Sequence, residues 1–152
     1  RHPLEELDIG AWPGLRRRII AARVHHPARA FTLIGAHPRS IHSETGLHVH
    51  DMRLLAECAA AMPKPLIVAG DLNSTPWSPN FARLLRRADL RDPRLGRGLM
   101  PTWPDTPIHF PAIMLDAILT GPEIHVARYE AGAGLASDHL PLRAIVHLPP
   151  AP

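Results

Sequence analysis

The sequence has little cysteine and little lysine, and it contains no long apolar run. Its single cysteine, Cys58, excludes an internal disulfide and a zinc site built from several cysteines. No apolar run approaches the roughly 18 residues that a membrane-spanning helix requires, so we expect no membrane span. The composition, with 45% hydrophobic and 20% charged residues, predicts a soluble globular protein and leaves its compartment open, cytoplasmic or extracytoplasmic.

Positive charge is present almost entirely as arginine, since Lys64 is the only lysine among 17 basic residues. The arginines cluster at Arg16-Arg17-Arg18, at Arg86-Arg87 and in the series Arg91, Arg94 and Arg97. The planar guanidinium fork suits phosphate oxygens, because it donates two hydrogen bonds at once. A net charge of +3 is nevertheless small for a dedicated nucleic-acid binder. The clusters permit a phosphate-bearing substrate, and a solvated surface is the alternative.

The 152 residues fit one domain, 1–152, in which short apolar runs alternate with helical patterns. Apolar spacing predicts one helix over His48–Met62, and Ser78 followed by Pro79 predicts the N-cap of a second. The strand-like segments are Arg18–Val24, Phe31–Ala36, Leu66–Ala69, Ile113–Leu119, Ile124–Tyr129 and Leu140–Leu148. The order β-β-α-β-α-β-β-β is typical of an α/β fold.

Polar residues suited to phosphoester chemistry lie at or near the ends of these strands. The strand that begins at Leu66 runs directly into Gly-Asp-Leu-Asn, so Asp71 is a candidate base and Asn73 a candidate donor. Ser137-Asp138-His139 precedes the final strand, and a carboxylate such as Asp138 can hold Mg²⁺. Asp116 lies inside its predicted strand, where a buried carboxylate is costly without a partner. It could orient an imidazole, and an arginine salt bridge is the alternative.

Five segments stand in the order seen in the endonuclease/exonuclease/phosphatase (DNase I-like) superfamily. They are Ala36-His37-Pro38, Gly70-Asp71-Leu72-Asn73-Ser74-Thr75-Pro76, Thr102-Trp103-Pro104, Leu115-Asp116 and Ser137-Asp138-His139. Each is short, but their joint order and separation are specific. The sequence most resembles an uncharacterised bacterial branch of that superfamily, which carries T-H-P and G-D-x-N-x-T-P-W-S patterns.

The resemblance implies the role of each catalytic candidate. Asp71 would orient or deprotonate the attacking water, and Asn73 would hold that water or the phosphate. His37 and His139 would stabilise the pentavalent transition state, and Asp116 would pair with His139. Thr102 and Trp103 would shape the loop beside the site, with no catalytic role assigned.

The resemblance also implies a divalent metal, Mg²⁺ or Mn²⁺, which Asp138 would approach. The superfamily's metal-binding Glu lies in an N-terminal half that precedes the motifs seen here. Glu5, Glu6 and Glu44 are the acids available near the start, and none stands in a matching motif. His42, His48 and His50 form a spaced trio that could mimic a metal site, although a loop before a helix is the favoured interpretation.

The opening Arg1-His2-Pro3-Leu4 resembles the superfamily's S-R-x-P-L segment, which lies near the middle of the domain. The chain is therefore expected to be the C-terminal portion of a DNase I-like α/β sandwich, with a mixed, largely antiparallel sheet and helices packed on one face. Loss of the first sheet would expose an apolar face, so we expect a homodimer or coverage by the missing N-terminal half. The sequence also departs from the superfamily pattern at Ala117, which stands where the superfamily has an aromatic residue or His.

These observations favour a divalent-metal-dependent phosphoesterase that cleaves a phosphodiester or phosphomonoester by in-line attack of water. The alternative is a catalytically impaired fragment or binding module that keeps the scaffold without the N-terminal Glu. The expected partner is a phosphoester substrate, nucleic acid or phospholipid headgroup among them, because fold alone does not fix the substrate.

Overall fold

The structure is a computed structural model, and it describes residues 2–15, 18–42, 45–105 and 111–150. A five-stranded sheet, a two-stranded sheet and two helices make up the fold. The first sheet contains β1 (Leu4–Glu6), β2 (Ile19–Val24), β3 (Phe31–Ala36), β4 (Leu66–Asp71) and β5 (Asp116–Thr120), in that order. The second pairs β6 (His125–Ala131) with β7 (Leu142–His147), and the helices are α1 (Thr45–Ala61) and α2 (Pro79–Ala88).

The five-stranded sheet is mixed and largely antiparallel, as expected. Only β3 and β4 run parallel, and α1 provides the crossover between them. The pairs β1–β2, β2–β3 and β4–β5 are antiparallel. This topology brings the carboxyl ends of β3 and β4 and the amino end of β5 to the same edge of the sheet.

The hydrophobic core lies between one face of the five-stranded sheet and the two helices. Ile34, Val68 and Leu119 are fully buried on that face, and they belong to one cluster with Leu55 of α1 and Phe81 of α2. Burial alternates along β2 and β3, as expected for strands with one covered face. The predicted packing of both helices on one face is confirmed.

The start of α2 agrees with the sequence pattern. The Ser78 hydroxyl accepts a hydrogen bond from the backbone N–H of Phe81 at 3.1 Å, and Pro79 occupies the first helical position. Asp89 ends the helix in the left-handed conformation, and the Lys64 ammonium donates to the Ala88 carbonyl at 2.6 Å. The helix is fixed at both ends, so the loop that precedes it is anchored too.

The opposite face of the sheet is only partly covered. The side chain of Ile20 is 74% exposed and that of Leu33 is 36% exposed, although their chain neighbours Ile19 and Ile34 are buried. The β6–β7 sheet reaches this side near β5, where the Tyr129 hydroxyl accepts a hydrogen bond from the Ile118 N–H at 2.9 Å. An apolar strip on β2 and β3 therefore faces outward in the described part of the chain.

Two strand assignments from the sequence need correction. The strand predicted over Ile113–Leu119 begins only at Asp116, because Ile113 pairs with Trp103 instead of with β4. Asp116 consequently lies at a strand end and not inside a strand. The strand β1 was not predicted at all, since its three residues are all exposed and give no alternation to detect.

None of the helices in the described ranges combines the length and apolar character needed to cross a membrane.

Candidate active site

Three predicted site residues meet at one edge of the five-stranded sheet. His37 directly follows β3, Asp71 ends β4 and Asp116 begins β5. Asp71 and Asp116 are direct partners in the register of the antiparallel pair. Because β3 and β4 are parallel, their carboxyl ends lie side by side, and His37 reaches the same place. Residues that are far apart in sequence thus share one surface.

Gly70 permits the close approach of β4 to β3 at this edge. Its φ is +143°, a conformation that residues with a side chain rarely adopt. A Cβ atom at this position would collide with the backbone carbonyl oxygen of Ala36. The glycine of the Gly-Asp-Leu-Asn motif is therefore a steric requirement that our sequence interpretation did not identify.

Asn73 holds the carboxylate of Asp71 from both sides. The Asn73 backbone N–H donates to Asp71 Oδ1 at 2.8 Å, and the Asn73 side-chain amide donates to Oδ2 at 3.2 Å. The amide also donates to the carbonyl of Pro38 at 3.1 Å. Asn73 adopts the left-handed conformation, with φ of 48°, which Asn tolerates better than most residues. The turn fixes the carboxylate and leaves lone pairs on both oxygens.

Asp116 and His139 form the expected contact. His139 Nδ1 lies 2.8 Å from Asp116 Oδ2, and His139 Nε2 lies 3.9 Å from Asp71 Oδ2. Burial by itself lowers the pKa of His139, but the hydrogen bond to Asp116 and the charges of Asp116, Asp71 and Asp138 together raise it above 6.5. The arrangement favours an imidazolium that is bound on one side and directed towards Asp71 on the other.

Asp71, Asp116 and His139 form a cluster in which one ligand atom from each lies within 4.8 Å of the others. All three side chains are half-buried. Two carboxylates and an imidazole are a donor set that fits a divalent cation, with the oxygens suited to Mg²⁺ or Mn²⁺. In the described ranges this is the one such group of three or more His, Cys, Asp or Glu residues.

His37 borders the cluster from the solvent side. Its Nε2 lies 3.5 Å from Asp71 Oδ2, and its side chain is 68% exposed. The backbone N–H of His37 donates to the carbonyl of Arg18 at 2.7 Å, which fixes the start of the loop that follows β3. The ring has room to turn towards a bound ligand.

Asp138, the predicted metal ligand, is exposed and does not belong to the three-residue cluster. The indole N–H of Trp103 donates to Asp138 Oδ2 at 3.2 Å, and the backbone N–H of Asp105 donates to the Asp138 carbonyl at 2.8 Å. Trp103 therefore orients the segment that carries Asp138 and His139. The metal-binding role of Asp138 stays a prediction.

The backbone of Asp116 is held by two side chains to which the sequence interpretation gave no such role. The Thr102 hydroxyl accepts hydrogen bonds from the backbone N–H groups of Leu115 and Asp116, each at 3.3 Å. The Arg94 guanidinium donates to the Asp116 carbonyl at 3.0 Å and is itself paired with buried Asp92. An arginine thus supports Asp116 through its backbone and not through its carboxylate.

The other acids and histidines considered from the sequence lie elsewhere or serve other contacts. His48 is buried and its Nδ1 lies 2.7 Å from the Arg39 carbonyl, whereas His42 and His50 are exposed. Glu5 lies on β1, which is the outermost strand of the sheet on the side away from β5, and it pairs with His25. Glu44 falls outside the described residues. The histidine trio does not form a metal-binding cluster within the described ranges.

Several cavities border the cluster, and two of them include Asn73 in their lining. One of about 480 Å³ includes Asn73, Trp103, Ile113 and His139 in its lining, so it combines apolar walls with polar groups. The other, of about 420 Å³, lies on the side of His37 and contains Asp71, Asn73 and Arg18. Both volumes are in the range of small-molecule pockets. Asn73 is thus common to both cavities.

The family is shown by a sequence match. The model of the Endonuclease/Exonuclease/phosphatase family matches residues 1–139, which is most of the chain. The chain belongs to this family. No curated protein matches the sequence.

Solved structures show the same fold at low sequence identity. An endonuclease/exonuclease/phosphatase family protein from Bacteroides thetaiotaomicron is 18% identical, with a TM-score of 0.67, and the match covers 84% of this chain and 54% of that one. The mannosyl-6-phosphatase Bt3783 of Bacteroides thetaiotaomicron VPI-5482 is 19% identical (TM-score 0.64; 86% and 57% covered). D. rerio TDP2, complexed with a single-strand DNA product, is 17% identical (TM-score 0.71; 95% and 67% covered).

The chain spans just over half of the length of the two Bacteroides thetaiotaomicron structures. Together with the family match, these structural matches confirm the expected α/β fold of the DNase I-like type.

Proposed function

We propose that this chain carries the catalytic centre of a divalent-metal-dependent phosphoesterase that cleaves its substrate by in-line attack of water. The observation that carries the proposal is the convergence of Asp71, Asp116 and His139 at one sheet edge, with ligand atoms within 4.8 Å of one another. Family membership supports the reaction class, and the neighbours named as acting on mannosyl-6-phosphate or holding a DNA product are consistent with phosphoester substrates.

The carboxylates of Asp71 and Asp116 would hold Mg²⁺ or Mn²⁺, together with the predicted ligand Asp138. We assign the ion to the carboxylates because oxygen ligands suit Mg²⁺ and Mn²⁺, and because Nδ1 of His139 already contacts Asp116 at 2.8 Å. Bound there, the ion would act as a Lewis acid towards the phosphate oxygens.

The protein's own groups would carry the remaining steps. Asp71 would accept the proton of the attacking water or orient it, and Asn73 would hold the carboxylate in place. His139, braced by Asp116, would donate to the phosphate oxygens as negative charge develops on them, and His37 would do so from the solvent side.

The test is hydrolysis of bis-p-nitrophenyl phosphate by the 152-residue chain with Mg²⁺ or Mn²⁺ and with EDTA. We expect metal-dependent release of p-nitrophenol that falls by at least about 100-fold in Asp116→Ala and in His139→Ala. Asp105→Ala, which changes a carboxylate of the neighbouring loop, is the control. Equal activity in the parent and both site variants would show that the site is wrongly assigned.

The competing proposal is a scaffold without catalytic activity. It is supported by the small number of acids in the cluster within the described ranges. Under this proposal the chain binds a phosphoester or a divalent ion but does not hydrolyse bis-p-nitrophenyl phosphate under any metal condition. Binding without turnover would favour it.

The proposal also includes self-association through the open face of the sheet. Ile20 and Leu33 leave an apolar strip on β2 and β3 exposed, and such strips are usually covered by another protein surface. We expect a second copy of the chain to cover it when the 152 residues are prepared alone. The N-terminal half of a longer domain is the alternative occupant.

A further inference from the structure

Arg18 lies directly beside the candidate site but has no role in it so far. It precedes β2 and is half-buried, and its carbonyl accepts the hydrogen bond of the His37 N–H at 2.7 Å. Arg18 lines two cavities, of about 420 Å³ and 520 Å³, and both also include His37 and Asp71. The backbone contact fixes Arg18 at the same sheet edge as the catalytic candidates.

The guanidinium of Arg18 has no partner among the residues that the structure describes. Other arginines near the site are occupied: Arg39 pairs with buried Asp51 at 2.7 Å, and Arg94 pairs with Asp92 at 2.9 Å. A half-buried arginine that lines a cavity and has no ion-pair partner in the described ranges keeps its guanidinium N–H donors available for a ligand. The ligand chemistry that best matches its planar fork is a phosphate or carboxylate.

The position of Arg18 relative to the cluster indicates which phosphate it would contact. The 420 Å³ cavity is lined by Arg18, His37, Asp71 and Asn73, but Asp116 and His139 do not line it. The reacting phosphate would lie at the cluster of Asp71, Asp116 and His139, of which only Asp71 also lines this cavity. An anion held by Arg18 would therefore be a neighbour of the reacting group.

We propose that Arg18 binds a second phosphate of the substrate, one that is not cleaved, so that the site prefers substrates with at least two phosphoryl groups. This inference rests on the proposed phosphoesterase function. The exposed ring of His37 would contact the same phosphate or lie between the two phosphates. Pairing with Arg18 would favour a bridged or polymeric phosphoester over a substrate with one phosphate.

The test is a binding titration in EDTA, in which no metal-dependent turnover takes place. Thymidine 3′,5′-bisphosphate and thymidine 5′-monophosphate are titrated calorimetrically into the parent chain, Arg18→Gln and Arg18→Lys. We expect the bisphosphate to bind the parent more tightly than the monophosphate, and this preference to fall about tenfold in Arg18→Gln. Arg18→Lys should keep part of it, because the charge remains and the fork is lost.

Arg83→Gln is the matched control, because Arg83 is exposed on α2 and has no ion pair within the described ranges. An unchanged preference in Arg18→Gln, equal weakening of both ligands, or no binding of the bisphosphate would each contradict the second-phosphate site. Hydrolysis of bis-p-nitrophenyl phosphate is measured separately. If hydrolysis occurs while the preference for the bisphosphate is the same in Arg18→Gln as in the parent, only this inference fails. If the preference depends on Arg18 but no hydrolysis occurs, only the proposed function fails.

Discussion

Two aspartates, Asp92 and Asp116, each lie beside a cationic partner, yet they are held in opposite ways. Both oxygens of Asp92 accept hydrogen bonds from Arg94, and both side chains of that pair are 5% exposed. Asp116 Oδ2 lies 2.8 Å from His139 Nδ1, and the Asp116 side chain is 18% exposed. It belongs to the same cluster as Asp71. The first aspartate has its lone pairs filled by the protein, and the second retains capacity for a ligand.

The structural carboxylate of Asp92 and the candidate catalytic carboxylate of Asp116 differ in the number of lone pairs that are left without a hydrogen-bond donor. Arg94 links the two, since it binds the side chain of Asp92 and the backbone carbonyl of Asp116. Because the Asp92 carboxylate is buried and fully paired, substitutions at the Asp92–Arg94 pair should act mainly on stability, whereas substitutions at the cluster should act mainly on activity.

The largest effect is expected for Asp71→Asn. The amide keeps an acceptor for the Asn73 N–H, so the turn should survive, but the negative charge and the candidate base are lost. We expect the kcat/KM for bis-p-nitrophenyl phosphate to fall by about 10² to 10⁴, with a change in the free energy of unfolding below about 1 kcal/mol.

The matched control for that variant is Asp89→Asn, an identical chemical change at the exposed left-handed cap of α2, where Asn is tolerated. It should retain parental activity. Equal activity of Asp71→Asn and Asp89→Asn would remove Asp71 from the mechanism.

Arg94→Met is expected to give the next largest effect, and to act on stability. It leaves Asp92 as a buried charge without a partner, which typically costs about 3 to 5 kcal/mol in the free energy of unfolding. Urea denaturation measures this. Arg128→Met is the control, because Arg128 pairs with Glu130 at the same two-residue spacing but is 62% exposed, and such pairs contribute about 0 to 1 kcal/mol. Similar losses in the two variants would contradict the distinction between the pairs.

A smaller effect concerns the protonation of His139. Its pKa in the folded, metal-free protein is raised, so the imidazolium stabilises the fold below the unfolded pKa of about 6.5. That stabilisation is lost as the pH rises through the raised pKa. Asp116→Asn removes the hydrogen-bonded anion and should lower the His139 pKa, which NMR titration in EDTA measures directly. An unchanged His139 pKa in this variant would contradict the pairing.

The smallest effect on stability is expected on the open face of the sheet. Ile20→Thr should change the free energy of unfolding little, because the side chain is 74% exposed. It should nevertheless weaken self-association in sedimentation velocity runs at high micromolar concentration. Leu95→Thr, which changes an apolar loop residue that is 82% exposed, should leave association unchanged. A parent chain that sediments as a monomer would contradict the predicted dimer.

Much of the fold could be predicted from the sequence, because short apolar runs and a capped helix start are local signals. The strand-like run Phe31–Ala36 and the Ser78-Pro79 cap both correspond to observed elements. The start of β5 could not be predicted. Ile113 is apolar and suits a strand, but it pairs with Trp103, and such a long-range choice of partner leaves no local pattern.

The residues of the candidate site were recognised through short motifs, whereas their supports were not. Arg94 reaches Asp116 from a loop 22 positions away, and the motifs contain no sign of this contact. Gly70 was part of a recognised motif, but its steric role depends on how closely Ala36 approaches. Arg18 resembled its neighbours in a run of three arginines until the fold placed it beside His37.

The central claim is that the sheet edge holds one divalent ion on Asp71 and Asp116. The most direct test is Mn²⁺ binding followed by electron paramagnetic resonance, in the parent chain and in the double variant Asp71→Asn with Asp116→Asn. We expect one bound Mn²⁺ for each parent chain, displaced by excess Mg²⁺, and no bound Mn²⁺ in the double variant. Equal Mn²⁺ binding by the two proteins, or none by the parent, would contradict the claim.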